Sequence, residues 1–401
     1  MLKKFLDKQR PLFEKQGKLA HYQPIFAALD SFLYTSGQVT SCAPHVRDGL
    51  NIKKTMGLVV IALIPCTLAG LYNTGLQANL ALAHAGLIEP AGWRFDLLRA
   101  SGLGFSPHSV SANVLHGFFY FFPVLLVSNL VGGAWEVVFS CQRNQEIHEG
   151  FLVTGLLFPL ILPPTIPLWL VAMGISFGIV IGKLIFGGIG RNFLNPALTG
   201  YAFLFFSYPA SLTGERVWTS SVDAVSGATP LGRAAAEGVA GLNVSWAQAF
   251  LGLMPGSMGE TSTLACLIGA AILLSAGIAS WRIMLSICIG MVSLALLFNS
   301  STNVTNPMFG VTPAWHFVLG GFAFGAVFMA TDPVTSAVTA KGQWLYGLLI
   351  GVMAVLIRVL NPGFPEGMML AILFGNCLAP LIDYLVVQRT MHRRLARHGS
   401  L

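Results

Sequence analysis

Charge is what this 401-residue chain has least of: 10% of its residues are Asp, Glu, Lys or Arg, where ordinary soluble domains carry about 25%. With 54% hydrophobic residues and a mean hydropathy of +0.70, it cannot cover the surface of a water-soluble globule of this size. The composition is that of a membrane protein. Acids are scarcer than bases, 16 against 23, but the basic residues are not interleaved with aromatics in one patch. They stand beside apolar runs, where orientation in a bilayer explains them, so nucleic acid is not the expected partner. The six cysteines (42, 66, 141, 266, 288 and 377) form no C-x-x-C, and four lie inside apolar runs. That argues against a disulfide framework and against a self-sufficient zinc or iron–sulfur site. An uninterrupted apolar core behind the first basic residues is also missing, so no signal peptide is expected.

What the sequence has instead is a succession of apolar runs. Residues 1–54 carry nine bases and are interrupted by Pro11, Pro24 and Pro44. They read as a cytoplasmic arm with short helices, either a topogenic tether or a docking surface for partner subunits. Apolar runs follow at roughly 57–75, 110–131, 150–163, 167–186, 193–208, 262–279, 282–299, 314–331, 345–360 and 367–387. Several are shorter than the about 20 residues a spanning helix needs, and their Pro and Gly breaks predict discontinuous helices. Ten spans place both termini on one side. All basic residues except Arg94, Arg99, Arg216, Arg233 and Arg358 then fall on that side, as the positive-inside rule requires of the cytoplasm. The expected organisation is an arm (1–54), a first repeat (55–208), a periplasmic loop (209–261), a second repeat (262–388) and a basic cytoplasmic tail (389–401).

The third run ends at Pro163-Pro164 and is followed by a full span and Asn195-Pro196. The eighth ends at Asp332-Pro333 and is followed by a full span and Asn361-Pro362. Five spans repeat as five, and an odd number inverts the halves in the membrane. The alternative is that Pro and Asn merely end helices.

Acids in or beside spans are site candidates, because each is costly unless paired or facing a cavity. Glu136, Asp332 and Asp383 all fall at the cytoplasmic side and offer hard oxygens for an alkali cation such as Na⁺. Snorkelling competes as a reading for Glu136 and Asp383, and helix capping for Asp332. Gly132 and Gly133 leave room for a flat ring against the backbone. Gly187, Gly188 and Gly190 echo a G-x-G, but no strand precedes them, so a dinucleotide fold is not supported. Arg191, Asn192 and Asn195 offer polar groups at membrane depth; an inward-facing charge and two helix caps are the plain alternative. His116 and His316 read as hydrogen-bonded core residues, not haem ligands. In the 209–261 loop, Asp223-Ala-Val-Ser226-Gly227-Ala228-Thr229-Pro230 reads physically as a turn.

That last segment is similar to the D-x-x-[ST]-G-A-T signal at which a flavin transferase esterifies FMN to the terminal threonine, here Thr229. Together with Gly132–Glu136, Gly187–Pro196, Gly259-Glu-Thr-Ser262 and Thr331–Ser336, it resembles the family formed by the B subunits of bacterial sodium-translocating NADH:quinone oxidoreductases and the D subunits of Rnf ferredoxin:NAD complexes. The likeness covers nearly the whole chain, and the long arm favours the quinone reductase. It implies an all-α polytopic protein of the bacterial inner membrane, with two inverted five-helix repeats like those of urea transporters. It further implies covalent FMN at Thr229, riboflavin near Arg191, Asn192 and Asn195, and quinone-site contacts at Gly132 and Gly133. Ubiquinone as substrate, outward Na⁺ transport and five partner subunits carrying the NADH, FAD and iron–sulfur stations complete the expectation. An Rnf-type protein and a passive urea-type channel are the rivals; the channel would have no use for a flavin signal.

Overall fold

A computed structural model describes residues 2–13, 19–34, 42–43, 52–85, 92–143, 145, 147, 150–212, 229–301, 306–361 and 366–398. Among these the regular structure is helical throughout, with no strand. The arm contributes α1 (Leu2–Phe13) and α2 (Gln23–Leu33), joined by an Arg10–Asp30 ion pair at 2.7 Å and by Phe13 stacked on Phe26. Pro11 sits within α1 and does not end it.

The first half then runs through α3 (Ile52–Ala85), α4 (Trp93–Ala100), α5 (Val110–Arg143), α6 (Gly150–Leu160), α7 (Leu168–Ile179) and α8 (Pro196–Ser207). The α7 helix continues into a π turn over Val180–Leu184. The runs at 57–75 and 110–131 thus become helices of 34 residues each, about 51 Å at 1.5 Å per residue. They lie against each other because glycines remove the side chains between them. Gly75 meets the Asn113 carbonyl and Gly117 the Leu71 carbonyl, with no room for a Cβ. Small residues of this kind are the usual means of helix association in lipid.

Two short helices, α9 (Pro230–Glu237) and α10 (Trp246–Leu251), lead into the second half: α11 (Thr263–Ser275), α12 (Trp281–Asn299), α13 (Pro313–Val318), α14 (Phe322–Phe324), α15 (Ala340–Leu360) and α16 (Met368–His398). The apolar run at 314–331 is broken, as its glycines predict. The α13 helix ends at Val318, Gly320 takes a φ of +64°, and α14 resumes into a π turn over Gly325–Met329. The α16 helix runs unbroken past Gln388, so the basic tail continues the last helix.

Among the described residues five helices are long and apolar enough to cross a membrane, and α6, α7 with its π turn, α8 and α11 are shorter apolar helices. Large apolar side chains such as Leu130, Phe206 and Leu297 are exposed, the pattern expected of a lipid-facing surface. In the first half α5 packs on α7, α7 on α8 and α3 on α6. In the second, α12 packs on α15, α15 on α16 and α11 on α14. The halves meet where α3 packs on α11, with the Cys66 and Cys266 sulfurs 3.8 Å apart.

Candidate functional site

Two groups of polar side chains lie towards the two ends of α15, about 30 Å apart for its 21 residues. At its N-terminal end, Asn192, Asn195, Lys183, Thr331 and Asp332 line a cavity of about 60 Å³ between the halves. Asn195 caps α8, its Oδ1 accepting from the Ala197 and Leu198 N–H groups at 3.0 and 3.4 Å. Asn192 donates to the Leu194 carbonyl at 3.0 Å. Asp332 accepts from the Val334 N–H and, at 2.8 Å, from the Thr335 hydroxyl. Ligand pockets typically enclose about 300–1,000 Å³, so this cavity admits a few waters or an ion but not an isoalloxazine. The Asn pair, already engaged, does not fit riboflavin as it stands.

The three acids do not converge. Glu136 is buried and ion-paired with Lys183, itself 3% exposed, so it neither snorkels nor stands free. Asp383 accepts from the Val338 and Thr339 N–H groups at 2.7 and 3.0 Å and from the Thr339 hydroxyl, fastening the start of α15 to α16. Among the described residues no group of three or more His, Cys, Asp or Glu side chains could hold a metal. Arg191 is parted from the Asn pair: with Glu136, Arg143, Gln145, Gly187 and Gly188 it lines a separate pocket of about 350 Å³. The Glu136–Lys183 pair therefore stands between two cavities.

Gly132 and Gly133 differ. A Cβ at Gly132 would come within 2.6 Å of the Phe151 ring, whereas one at Gly133 would make ordinary contact at 3.5 Å. Gly132 is thus a packing position and Gly133 has room beside it. One turn on, Trp135 donates to Ser176 at 2.9 Å. With Met173, Phe177, Ile181 and Phe203 these two line an apolar groove of about 430 Å³.

At the C-terminal end of α15 lies a second cluster. Asp223, Ser226, Gly227 and Ala228 lie outside the described residues, but Thr229 is described. It is 8% exposed and caps α9, its Oγ1 accepting the Gly232 N–H at 3.0 Å. Burial raises the nearby Glu366 carboxyl, with Arg358, the Gly321 amide and the Thr229 hydroxyl opposing. Thr229 therefore offers what a phosphoester needs, a hydroxyl and the N-terminal amides of a helix, where an anion is favoured. The donor set fits FMN. Beside it, Arg358 is fully buried and donates to the carbonyls of His316 (2.7 Å), Leu319 (2.9 Å) and Glu366 (3.2 Å).

The NQR2, RnfD, RnfE family model matches residues 39–392. The chain belongs to this family. It is 54% identical to a Pseudomonas aeruginosa protein and 55% to an Azotobacter vinelandii protein, each alignment covering 99% of this chain and all of the relative. A Yersinia pestis protein is 52% identical, over 99% of both chains. All three are described as the B subunit of a Na⁺-translocating NADH-quinone reductase.

In this family member, sequence reasoning missed Lys183, Glu260, Arg358 and Glu366. Lys183 read only as an inside-facing charge and Arg358 only as an outer one. Glu260 and Glu366 escaped because they lie outside the apolar runs. The available signal was that Arg358 stands within an apolar run, where a charge demands partners.

Proposed function

We propose that the chain is the membrane-embedded B subunit of a Na⁺-translocating NADH:quinone reductase, carrying covalent FMN on Thr229 and passing electrons to quinone in coupling with Na⁺ export. The observation that carries this reading is full-length kinship at 52–55% identity to proteins of that name. The relatives favour the quinone reductase over the Rnf branch of the same family. Bound FMN would supply reversible electron transfer. The chain's own contribution is to hold the phosphoester oxygen at the α9 N-terminus and to shield it from water, as the burial of Thr229 supports.

In this reading the chain spans the bacterial inner membrane ten times as two inverted five-helix repeats, both termini cytoplasmic and Thr229 periplasmic. The matching packing of α5–α7–α8 and α12–α15–α16 supports the repeat. Quinone meets the chain at Gly132 and Gly133, and Na⁺ enters near Glu136, Asp332 and Asp383. Five further subunits supply NADH oxidation and the remaining electron carriers. The cavity at Asn192 and Asn195 is too small for riboflavin.

The test is Thr229→Val in the assembled complex. In-gel flavin fluorescence of the denatured chain should vanish while membrane insertion persists. Fluorescence that survives, with the flavin mass still on this loop, would overturn the assignment.

A further inference from the structure

The residues around Arg358 do not balance in charge. Its guanidinium is spent on three backbone carbonyls, while two carboxylates approach it across a pair of glycines. Glu366 lies over Gly320, where any Cβ would strike Oε2 and would come within 3.0 Å of the Arg358 Nη2. Glu260 lies over Gly321, whose Cβ would fall 2.7 Å from Oε1. Glycine at both positions lets the two acids close onto the same backbone. Glu260 Oε2 accepts from the Ser257 hydroxyl, but Oε1 is buried and meets no donor. One cation against two carboxylates leaves one negative charge uncompensated, and a buried unpaired charge is strongly unfavourable.

Next to Glu260 is a small cavity of about 20 Å³, lined by Thr229, Ser257, Glu260, Thr261, Gly320 and Glu366 together with residues 230–231 and 254–256. A cavity needs about 10–15 Å³ for one water-sized guest, so it holds a single small particle. Its lining offers carboxylate and hydroxyl oxygens, hard ligands suited to an alkali cation. The geometry points to Glu260, Glu366 and the hydroxyls of Ser257 and Thr261 as a site for one dehydrated monovalent cation, Na⁺. It lies at the far end of α15 from Asp332 and Asp383, against the residue proposed to carry the flavin. The ion's identity rests on the Na⁺-coupled reading; the site itself does not.

Burial raises Glu260 to about 8 and raises Glu366 as well, with the Ser257 hydroxyl and Arg358 opposing on Glu260. Tyr201 of α8 and Cys266 of α11 also face the pair electrostatically, and His316 faces Arg358. None of these supplies the missing positive charge. Without a cation, a proton on Glu260 does.

The experiment is ²²Na⁺ equilibrium binding to the purified complex, with choline replacing sodium as the control. Glu260→Gln should remove one Na⁺ equivalent per complex, and Ser257→Ala should weaken it several-fold while leaving the charges in place. Unchanged Na⁺ binding in Glu260→Gln, or in Ser257→Ala if the first variant does not assemble, would overturn the site. Flavin fluorescence on Thr229 is read separately, so loss of the flavin assignment and loss of the cation site are distinguishable.

Discussion

The two buried charge groups solve the same electrostatic problem in opposite ways. Glu136 and Lys183 form a one-to-one pair sealed between two cavities. Arg358 faces two carboxylates and satisfies its own donors on backbone carbonyls. A balanced pair is complete without a guest and separates spaces; an unbalanced trio requires one. The difference teaches that an acid's value as an ion ligand depends on its local charge balance more than on its depth in the membrane.

The largest break in this comparison is Arg358→Met, which strands three buried carbonyls and leaves two acids unopposed. The loss should reach or exceed the upper end of the about 3–5 kcal/mol typical of a broken buried pair, read as failure to assemble or a collapsed thermal midpoint in detergent. Next, Lys183→Met should destabilise by about 3–5 kcal/mol, and Lys183→Met combined with Glu136→Leu should recover most of it, since removing both charges is often near neutral. No recovery in the double variant would mean the pair does more than balance itself. Arg358→Met should not be rescued by Glu260→Gln alone, because the carbonyls remain unpaired.

A smaller effect is expected from pH. Glu260 is raised from its ordinary 4.5 to about 8, so between those values the folded state binds the extra proton. In sodium-free buffer, stability from this group is fully present below pH 4.5 and is lost as pH rises toward 8, by at most about 1.4 kcal/mol per pH unit. Glu260→Gln should flatten that slope, as melting curves between pH 5 and 8 would reveal; an unaltered slope would assign it elsewhere. Smallest is the capping effect of Thr229: Thr229→Ser should leave α9 within a few tenths of a kcal/mol, whereas Thr229→Val should cost about 1 kcal/mol, measured as the midpoint shift in flavin-free protein.

Much of the helical plan was legible because apolar runs broken by Pro and Gly mark where chain enters and leaves a nonpolar layer. The run at 345–360 became α15 and that at 282–299 became α12 almost unchanged. The runs at 57–75 and 110–131 were underestimated because polar residues such as Asn73, Gln77 and Asn79 look like ends. In the fold, Asn73 donates to the Met254 carbonyl and Asn79 to Asn113, so these side chains lie inside the continuing helix. Short-range chemistry was also readable, as Asn195 before Pro196 shows by capping α8. Partners distant in sequence were not: Lys183 stands 47 residues from Glu136, and nothing local joins Glu260 to Glu366. Filtering for acids within spans finds the balanced pair and overlooks the trio, whose carboxylates lie on loops that the fold carries inward.

The thiols of Cys66 and Cys266 touch where the first helices of the two halves meet. In mechanical terms this is a feeler gauge set into the seam: two soft, polarisable atoms at contact distance, both on helices anchored elsewhere by close packing. Dispersion falls away steeply with separation, so the sulfurs stay in contact only while the two helices keep the spacing that Gly269, packed against the Ala62 carbonyl, also requires.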